Sequence, residues 1–480
     1  MAESKKSVKS LIYTLVMLAF MAMGWVVAPF GGLSEFGVKV LGIFIGMMWG
    51  WIFIGLIWPS LLGMLMLTMC GLGTAKEVFG QGYGSEIVLL VIFFSVFTGW
   101  LEEIGLTNTL TQWMMTRKVL KGKPYLTIFM LFLVTLICGA FVGIYATIFL
   151  MWGICYKLLI SLGYEKKDKM CAFLLIGVAY VSIMGMCIKP WTPWSMMGLK
   201  SLTTATGISV DYLAYSAWMI VISLISMLLF LLCGKFIFRV DVSKMKNADF
   251  TKLGAKINYD KKQKFATLIL AAIVVALYVP SVLPKDMWIY SVLNKLSAVG
   301  VIGAVTVVLC CVKMDGEPLM DFAKTAKEAI PWSMVVLLAA VGPLGSALMN
   351  SETGITRAVL GLMKPIFAGQ SPMMIYILVV LICCILTQVM NNTVLLVALT
   401  PLMCQLAAAF GANPVIVAVL MIFGLSAALA TPGASSRAGL VFGNTEWITT
   451  GQGYFFGIIS VVCVIITLLC VGLPLGAILF

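Results

Sequence analysis

Apolar runs separated by short polar stretches carry this chain from end to end. Windows that approach or reach the length needed to cross hydrocarbon as a helix are Leu11–Phe30, Val38–Trp58, Ile87–Leu101, Leu126–Val142, Cys171–Cys187, Tyr212–Phe236, Phe265–Leu283, Ala298–Val312, Ser333–Leu348, Met373–Met390, Val415–Ala430 and Phe455–Ile478. Met1–Lys9 is short and basic, and no small-residue cleavage site follows the first window, so that window is expected to stay as a first span. The pattern predicts an all-α membrane protein.

Two stretches about half the chain apart are worn copies of each other. The first reads Glu103, Gly105-Leu106-Thr107, Pro124, Tyr145-Ala146-Thr147 and Thr192-Pro193-Trp194-Ser195. The second reads Glu352, Gly354-Ile355-Thr356, Pro372, Asn391-Asn392-Thr393 and Thr431-Pro432-Gly433-Ala434-Ser435. Each copy brings backbone-breaking or polar residues into an apolar span, and helices broken at matching places in two halves point to a carrier's binding site. The spacing predicts re-entrant hairpin tips at Tyr145–Thr147 and Asn391–Thr393, meeting near the membrane midplane. Thr107–Lys123 and Thr356–Gln370 read either as interfacial amphipathic arms joining a fixed part to a moving one or as plain interhelical loops.

Composition supports the membrane reading. The 480 residues are 62% hydrophobic and 11% charged, with a mean hydropathy of +1.09. A soluble domain of that size needs a larger polar coat. A net charge of +13 would suit a nucleic-acid binder, but the basic residues sit in four short stretches: Lys5–Lys9, Arg117–Lys123, Lys166–Lys169 and Lys235–Lys264. That is the distribution of cytoplasmic loops, not of one basic face, and no nucleic-acid partner is expected. Of the 13 cysteines, Cys138, Cys187, Cys310, Cys311, Cys383, Cys384 and Cys470 lie inside apolar runs. With no C-x-x-C and no histidine, neither a redox site, a transition-metal site nor an organic cofactor is indicated.

Loop charge also sets the relative orientation of the copies. After Thr147 the chain reaches the charged turn Glu165–Lys169; after Thr393 the equivalent turn, Phe410–Pro414, carries no charge. The copies are therefore expected to run in opposite senses, as inverted repeats. The expected architecture has roughly eleven transmembrane helices, two re-entrant hairpins and broken helices, with the N-terminus cytoplasmic and the C-terminus outside. Its divisions are scaffold spans over 1–80, a first repeat over 81–238, a cytoplasmic linker over 239–264, further scaffold spans over 265–330 and a second repeat over 331–480.

Asn391-Asn392-Thr393, followed by Pro401, is the sharpest local motif. Asparagine is costly in hydrocarbon unless its amide is satisfied. At a hairpin tip these side chains and the freed N–H groups suit a carboxylate, and unwound carbonyls beside them suit a sodium ion; the plain alternative is helix–helix packing glue. Thr431, Pro432, Ser435 and Ser436 form the partner break, with hydroxyl oxygens hard enough for sodium. Arg437 follows directly and either pairs with an anion or snorkels to water. In the first half Thr192 and Pro193 play the corresponding part, and Lys189 stands beside them as an anion attractor, a substitute for a bound sodium ion, or a mark of the span's cytoplasmic end.

These motifs, the closing Phe442-Gly443 and the paired half-spans resemble the divalent-anion/sodium symporter family, carriers of dicarboxylates, citrate and sulfate within the ion-transporter superfamily. The resemblance covers most of the chain in hydropathy and repeat layout. In that family each tip reads Ser-Asn-Thr and holds substrate carboxylates and sodium. The resemblance assigns Asn391, Asn392 and Thr393 to those three places, Thr431-Pro432 to the family's Thr-Pro, and Thr387 to the sodium-side hydroxyl. It implies substrate contacts from Thr147, Thr192, Pro193, Asn391, Asn392, Thr393, Thr431, Pro432 and Ser435. Sodium would take Thr387, Asn392 and Thr431, and in the first half Tyr145 and Thr147, where the asparagine is missing. It also implies an elevator carrier made of two identical chains meeting through scaffold spans, in the cytoplasmic membrane.

Rival readings fare worse on the residues. A sodium-independent exchanger, or a carrier of monocarboxylates or sulfate-like anions, shares the motifs. A cation/proton antiporter needs a titrating buried carboxylate, whereas Glu86, Glu102, Glu103, Glu352 and Glu446 lie at or near span ends. A membrane enzyme needs a nucleophile or general base constellation, and no histidine, G-x-S-x-G or acidic pair supplies one.

Overall fold

The computed structural model describes residues 2–106, 122–141, 143–245, 260–284, 286–314, 316–355, 357, 358, 361, 369–390 and 392–480. Asn391, most of both amphipathic arms and residues 246–259 of the linker lie outside the described residues.

The fold is nearly all helix. The first half holds α1 (Ala2–Ala22), α2 (Glu35–Phe53), α3 (Ile57–Met69), α4 (Ala75–Tyr83), α5 (Glu86–Glu103), α6 (Pro124–Phe141), α7 (Ile144–Ser161), α8 (Lys169–Ile188), α9 (Pro193–Thr206) and α10 (Tyr212–Phe236). The second holds α11 (Lys261–Tyr278), α12 (Trp288–Cys311), α13 (Phe322–Ala329), α14 (Trp332–Met349), α15 (Pro372–Leu386), α16 (Asn392–Ala409), α17 (Pro414–Gly424), α18 (Ser436–Gly443), α19 (Thr450–Thr467) and α20 (Leu473–Leu479). Among the described residues the only strands are Lys313–Met314 and Glu317–Pro318, an antiparallel pair.

By length and composition eight helices, α19 and α20 counting as one, can cross a membrane, or ten if the bent pairs α4–α5 (44°) and α13–α14 (77°) each count as one span. The expected eleven spans plus hairpins exceed that number because the apolar run Ser10–Trp25, which begins within α1, and helices α15 and α17, of 15 and 11 residues, are short, while α11 carries Lys261, Lys262 and Lys264 within its 18 residues. Helices that short reach only part way through hydrocarbon. The two bent pairs stand at the same sequence offset from each other as Thr147 and Thr393. The duplication thus extends back from the hairpins to α4–α5 and α13–α14.

Local chemistry explains the helix ends. Proline at the first turn of α9, α15 and α17 needs no N–H partner there, and Thr192, Ser371 and Asn413 cap those starts with a side-chain oxygen. The bent pairs cross each other: α4 lies on α14 so closely that a Cβ on Gly82 would stand 2.2 Å from Ala339 O. Helices α2 and α3 also cover α14, while α5 packs on α12 and α13.

Both hairpins sit on broken helices. α6 and α7 pack on α8, and the crossing is tight: a Cβ on Gly139 would stand 2.2 Å from Ser182 O, and one on Gly185 2.1 Å from Leu136 O. Small residues at such a crossing let backbones approach, which supplies the packing that lipid cannot. α15 and α16 pack on α17 in the same way. The second half of each broken helix then crosses to the other copy. α9 lies on α16 and α17, with Trp194 Nε1 donating to Ile422 O at 3.0 Å. Just past α18, Asn444 Nδ2 donates to the Tyr156 hydroxyl of α7 at 2.8 Å, and Trp447 stacks on that ring.

The bases of the two hairpins mark opposite ends of the 30-residue helical run Thr450–Leu479. At its start Gln452 Nε2 donates to Lys167 O at 2.7 Å and Lys166 pairs with Glu446. At its finish Asn413 Nδ2 donates to Phe480 O at 3.0 Å. A helix of that length spans roughly 45 Å.

Candidate functional site

Eleven residues, 425–435, separate α17 from α18, and their backbone is not helical. Unwound carbonyls in an apolar interior must find donors. Four consecutive ones do, each from a side chain. Thr387 Oγ1 donates to Leu425 O at 3.0 Å, Arg437 Nη2 to Ser426 O at 2.9 Å, Gln388 Nε2 to Ala427 O at 3.0 Å and Ser435 Oγ to Ala428 O at 2.7 Å. Gln388 does more: its Nε2 also reaches Cys384 O at 2.9 Å, its Oε1 accepts from Ala430 N at 2.9 Å, and its backbone carbonyl accepts from Thr431 Oγ1. The second hairpin tip is thereby stitched to the second break. Pro432 stands exposed in the turn, while Ser435 also caps α18 by accepting from Ala438 N.

The first break, 189–192, is shorter. Thr192 caps α9 by accepting from Ser195 N, and its Oγ1 lies 2.9 Å from Met186 O and 3.1 Å from Lys189 O; Pro193 follows at the first helical position. Cys187 O accepts from Ser195 Oγ at 3.3 Å and from the Tyr215 hydroxyl at 2.9 Å. Lys189 is buried, with Nζ 4.6 Å from the Phe94 ring centre and 4.7 Å from that of Phe141. None of the four ion pairs among the described residues includes it.

Arg437 joins the second break to α8. It is 2% exposed, so it does not snorkel, and its Nη1 reaches across to Ala179 O of α8 at 3.3 Å. Thus the second break and α8 meet around one guanidinium. Among the described residues Lys189 and Arg437 are the only buried charged side chains.

The remaining expected residues fall as follows. Thr147 is fully buried on α7 and its Oγ1 has no hydrogen-bond partner among the described residues. Asn392 opens α16, is half-buried, and its Oδ1 accepts from Thr393 N at 2.9 Å, so its amide NH2 is turned away from its own helix start. Glu102 ends near the first tip, with Oε1 3.3 Å from where a Cβ on Gly143 would stand. Gln388 was not among the residues expected at the site. Its signal was available: an amide inside the apolar run Met373–Met390 is as costly as Asn392 unless it has partners.

The second break does not fit the sodium ion that the resemblance places on Thr387, Asn392 and Thr431. Thr387 and Thr431 both spend their protons on carbonyls, and the carbonyls of 425–428 are each already donated to. A carbonyl keeps a second lone pair, so hydrogen bonding alone does not bar a cation. The guanidinium beside Ser426 O opposes one there: two unit charges about 4 Å apart would repel by about 4 kcal/mol at an effective dielectric near 20.

Comparison with known proteins agrees with this architecture. The family model for the citrate transporter, CitMHS, matches residues 44–424. No curated protein matches the chain in sequence. Among solved structures, the Alcanivorax borkumensis YdaH transporter superposes with a TM-score of 0.57 at 15% identity, covering 84% of this chain and 88% of that one. At that identity the likeness speaks for the fold alone. The match over most of its length places this multi-pass membrane protein in the citrate transporter family of the ion-transporter superfamily.

Proposed function

We propose that the protein is a secondary active carrier of a small organic anion, most simply a di- or tricarboxylate, working by an elevator movement. The observation that carries this reading is the charge of the buried site. Both charged side chains buried among the described residues are cations, and neither has a carboxylate partner there. A buried charge without a partner is expensive, and an arriving anion removes that cost. Two fixed positive charges match a doubly charged anion better than a monocarboxylate. The positive ends of α7, α9, α16 and α18 at the tips and breaks add to the same field.

The opposite placement of the hairpin bases along Thr450–Leu479 supports inverted repeats, each hairpin entering from its own side. In the elevator reading α6–α10 and α15–α20 form the moving body, and α1–α5 with α11–α14 the scaffold, through which two chains pair. Polar links that tie body to scaffold include Lys200 to Glu86 at 2.5 Å and Tyr278 OH to Ser216 Oγ at 2.6 Å. Such links can exchange as the body slides. The membrane is the cytoplasmic one, with the N-terminus inside and the C-terminus outside. Sodium symport is the coupling expected if the first break takes a sodium ion; an anion exchanger needs none.

A ligand panel tests the reading. Thermal stability of the purified protein should rise with a dianion such as succinate or with citrate, because a ligand that binds only the folded state stabilises it. Lactate should do less. Equal, small responses to every anion would contradict it.

A further inference from the structure

The second break carries its own cation. We propose that Arg437 is a built-in cation occupying the electrostatic place that a coupling sodium ion would take at the second break, so that the anion is bound there with no sodium beside it. This rests on the anion-carrier reading and deepens it.

Three observations carry the assignment. The first is the donor set: Leu425, Ser426, Ala427 and Ala428 present four consecutive unwound carbonyls, Thr387, Arg437, Gln388 and Ser435 donate to them in turn, and one of those four donors is itself a cation. The second is position. Ser426 lies just beyond the C-terminal end of α17, the negative end of that helix, where a positive charge is stabilised. Arg437 sits there fully enclosed, bridging Ser426 O to Ala179 O with two arms of a planar donor fork. A flexible surface arginine has neither feature.

The third is asymmetry between the copies. At the offset that matches Thr431 with Thr192, Arg437 matches Gly198 and Lys189 matches Ala428. Each copy therefore has one buried cation, at positions the duplication does not relate. At Gly198 no side chain fits, since a Cβ would stand 2.3 Å from Ile422 Cγ1. The second copy meets the demand for positive charge with Arg437, and the first copy with Lys189 over two aromatic rings.

A tethered cation makes three measurable differences from a mobile one. First, sodium alone should not stabilise the parent protein: its Tm in sodium chloride should match that in choline chloride at equal ionic strength. A saturable, sodium-specific rise in Tm would overturn the inference, because a ligand that binds the folded state must stabilise it. Second, in proteoliposomes loaded with the best-transported anion of the succinate, citrate and sulfate panel, Arg437→Gln should lower uptake by about tenfold or more, the worth of a lost hydrogen bond to a charged group. Arg437→Lys, which keeps the charge, should lose less. Arg437→Gln with parental uptake would overturn the inference.

Third, Arg437→Ala opens a space for a free cation. Guanidinium ion, at about 50 mM, should restore a several-fold share of the lost uptake or Tm, and sodium at the same concentration should restore less. Equal recovery by both ions, or by neither, would mark Arg437 as packing only and refute the assignment. Should Arg437→Ala fail to fold, the sodium titration of the parent and the lysine variant still decide the matter. If no panel anion enters the liposomes at all, the carrier reading fails, while the Tm measurements judge the cation assignment separately.

Discussion

Replacing Gln388 with leucine keeps nearly the same volume and deletes three hydrogen bonds at once. Nε2 bonds Cys384 O at 2.9 Å and Ala427 O at 3.0 Å, and Oε1 accepts from Ala430 N at 2.9 Å. Cys384 O belongs to the last turn of α15, whose carbonyls have no partner within the helix. Ala427 O retains a bond from Leu429 N at 3.1 Å, so it is the least affected. Taking about 1 kcal/mol for each lost bond, the link between hairpin tip and break weakens by about 2–3 kcal/mol. At 1.36 kcal/mol per decade that raises the opening equilibrium of residues 425–431 by roughly thirtyfold to over a hundredfold. Native-state hydrogen exchange read by mass spectrometry on the peptide spanning Ala430 is the direct assay, because that amide loses its acceptor. Gln388→Glu should exchange faster than the parent as well, since a carboxylate facing Cys384 O and Ala427 O has no proton to give them. Protection in Gln388→Leu within about threefold of the parent would refute the claim that this amide holds the break together.

Lys189→Met should lower anion uptake by about tenfold or more without lowering Tm, because methionine fills the space between Phe94 and Phe141 and a buried cation lacking an acid partner is costly to keep. Gly185→Ala should destabilise the first hairpin by about 1–3 kcal/mol, seen as a lower Tm, since its Cβ would collide with Leu136 O; Gly303→Ala, which meets nothing within 4 Å, serves as the neutral control. Asn392→Ala should weaken anion binding by about tenfold while leaving Tm close to the parent, because its half-buried amide NH2 is not spent on its own helix.

The parts of this fold that were legible in the sequence are those written in local contrast. Polar or helix-breaking residues inside apolar runs marked both hairpin tips and both breaks, and the structure ends α6, α8 and α15 within about five residues of those marks, whereas α17 stops at Gly424, seven residues before Thr431. The bent pairs were not legible in the same way. α4 and α13 are only nine and eight residues long and carry Lys76, Glu77, Lys324, Lys327 and Glu328, so they read as polar loops flanking a span. The role of Arg437 was also out of reach. A basic residue beside a break reads as snorkelling by default, and what settles its place is Ala179 O, a carbonyl from the other half of the chain. Gln388 was overlooked because the neighbouring Asn-Asn-Thr motif is louder, although the physics of a buried amide is the same for both.

Transport itself is the most direct test of the central claim. The purified chain, reconstituted into liposomes preloaded with unlabelled succinate or citrate, should take up the labelled anion, with Lys189→Met and Arg437→Gln both at least about tenfold slower than the parent. It should do so in choline as well as in sodium buffer if both buried cations are resident ones. Liposomes that take up no di- or tricarboxylate under any ionic condition would contradict the account, as would variants without these two charges that transport as fast as the parent.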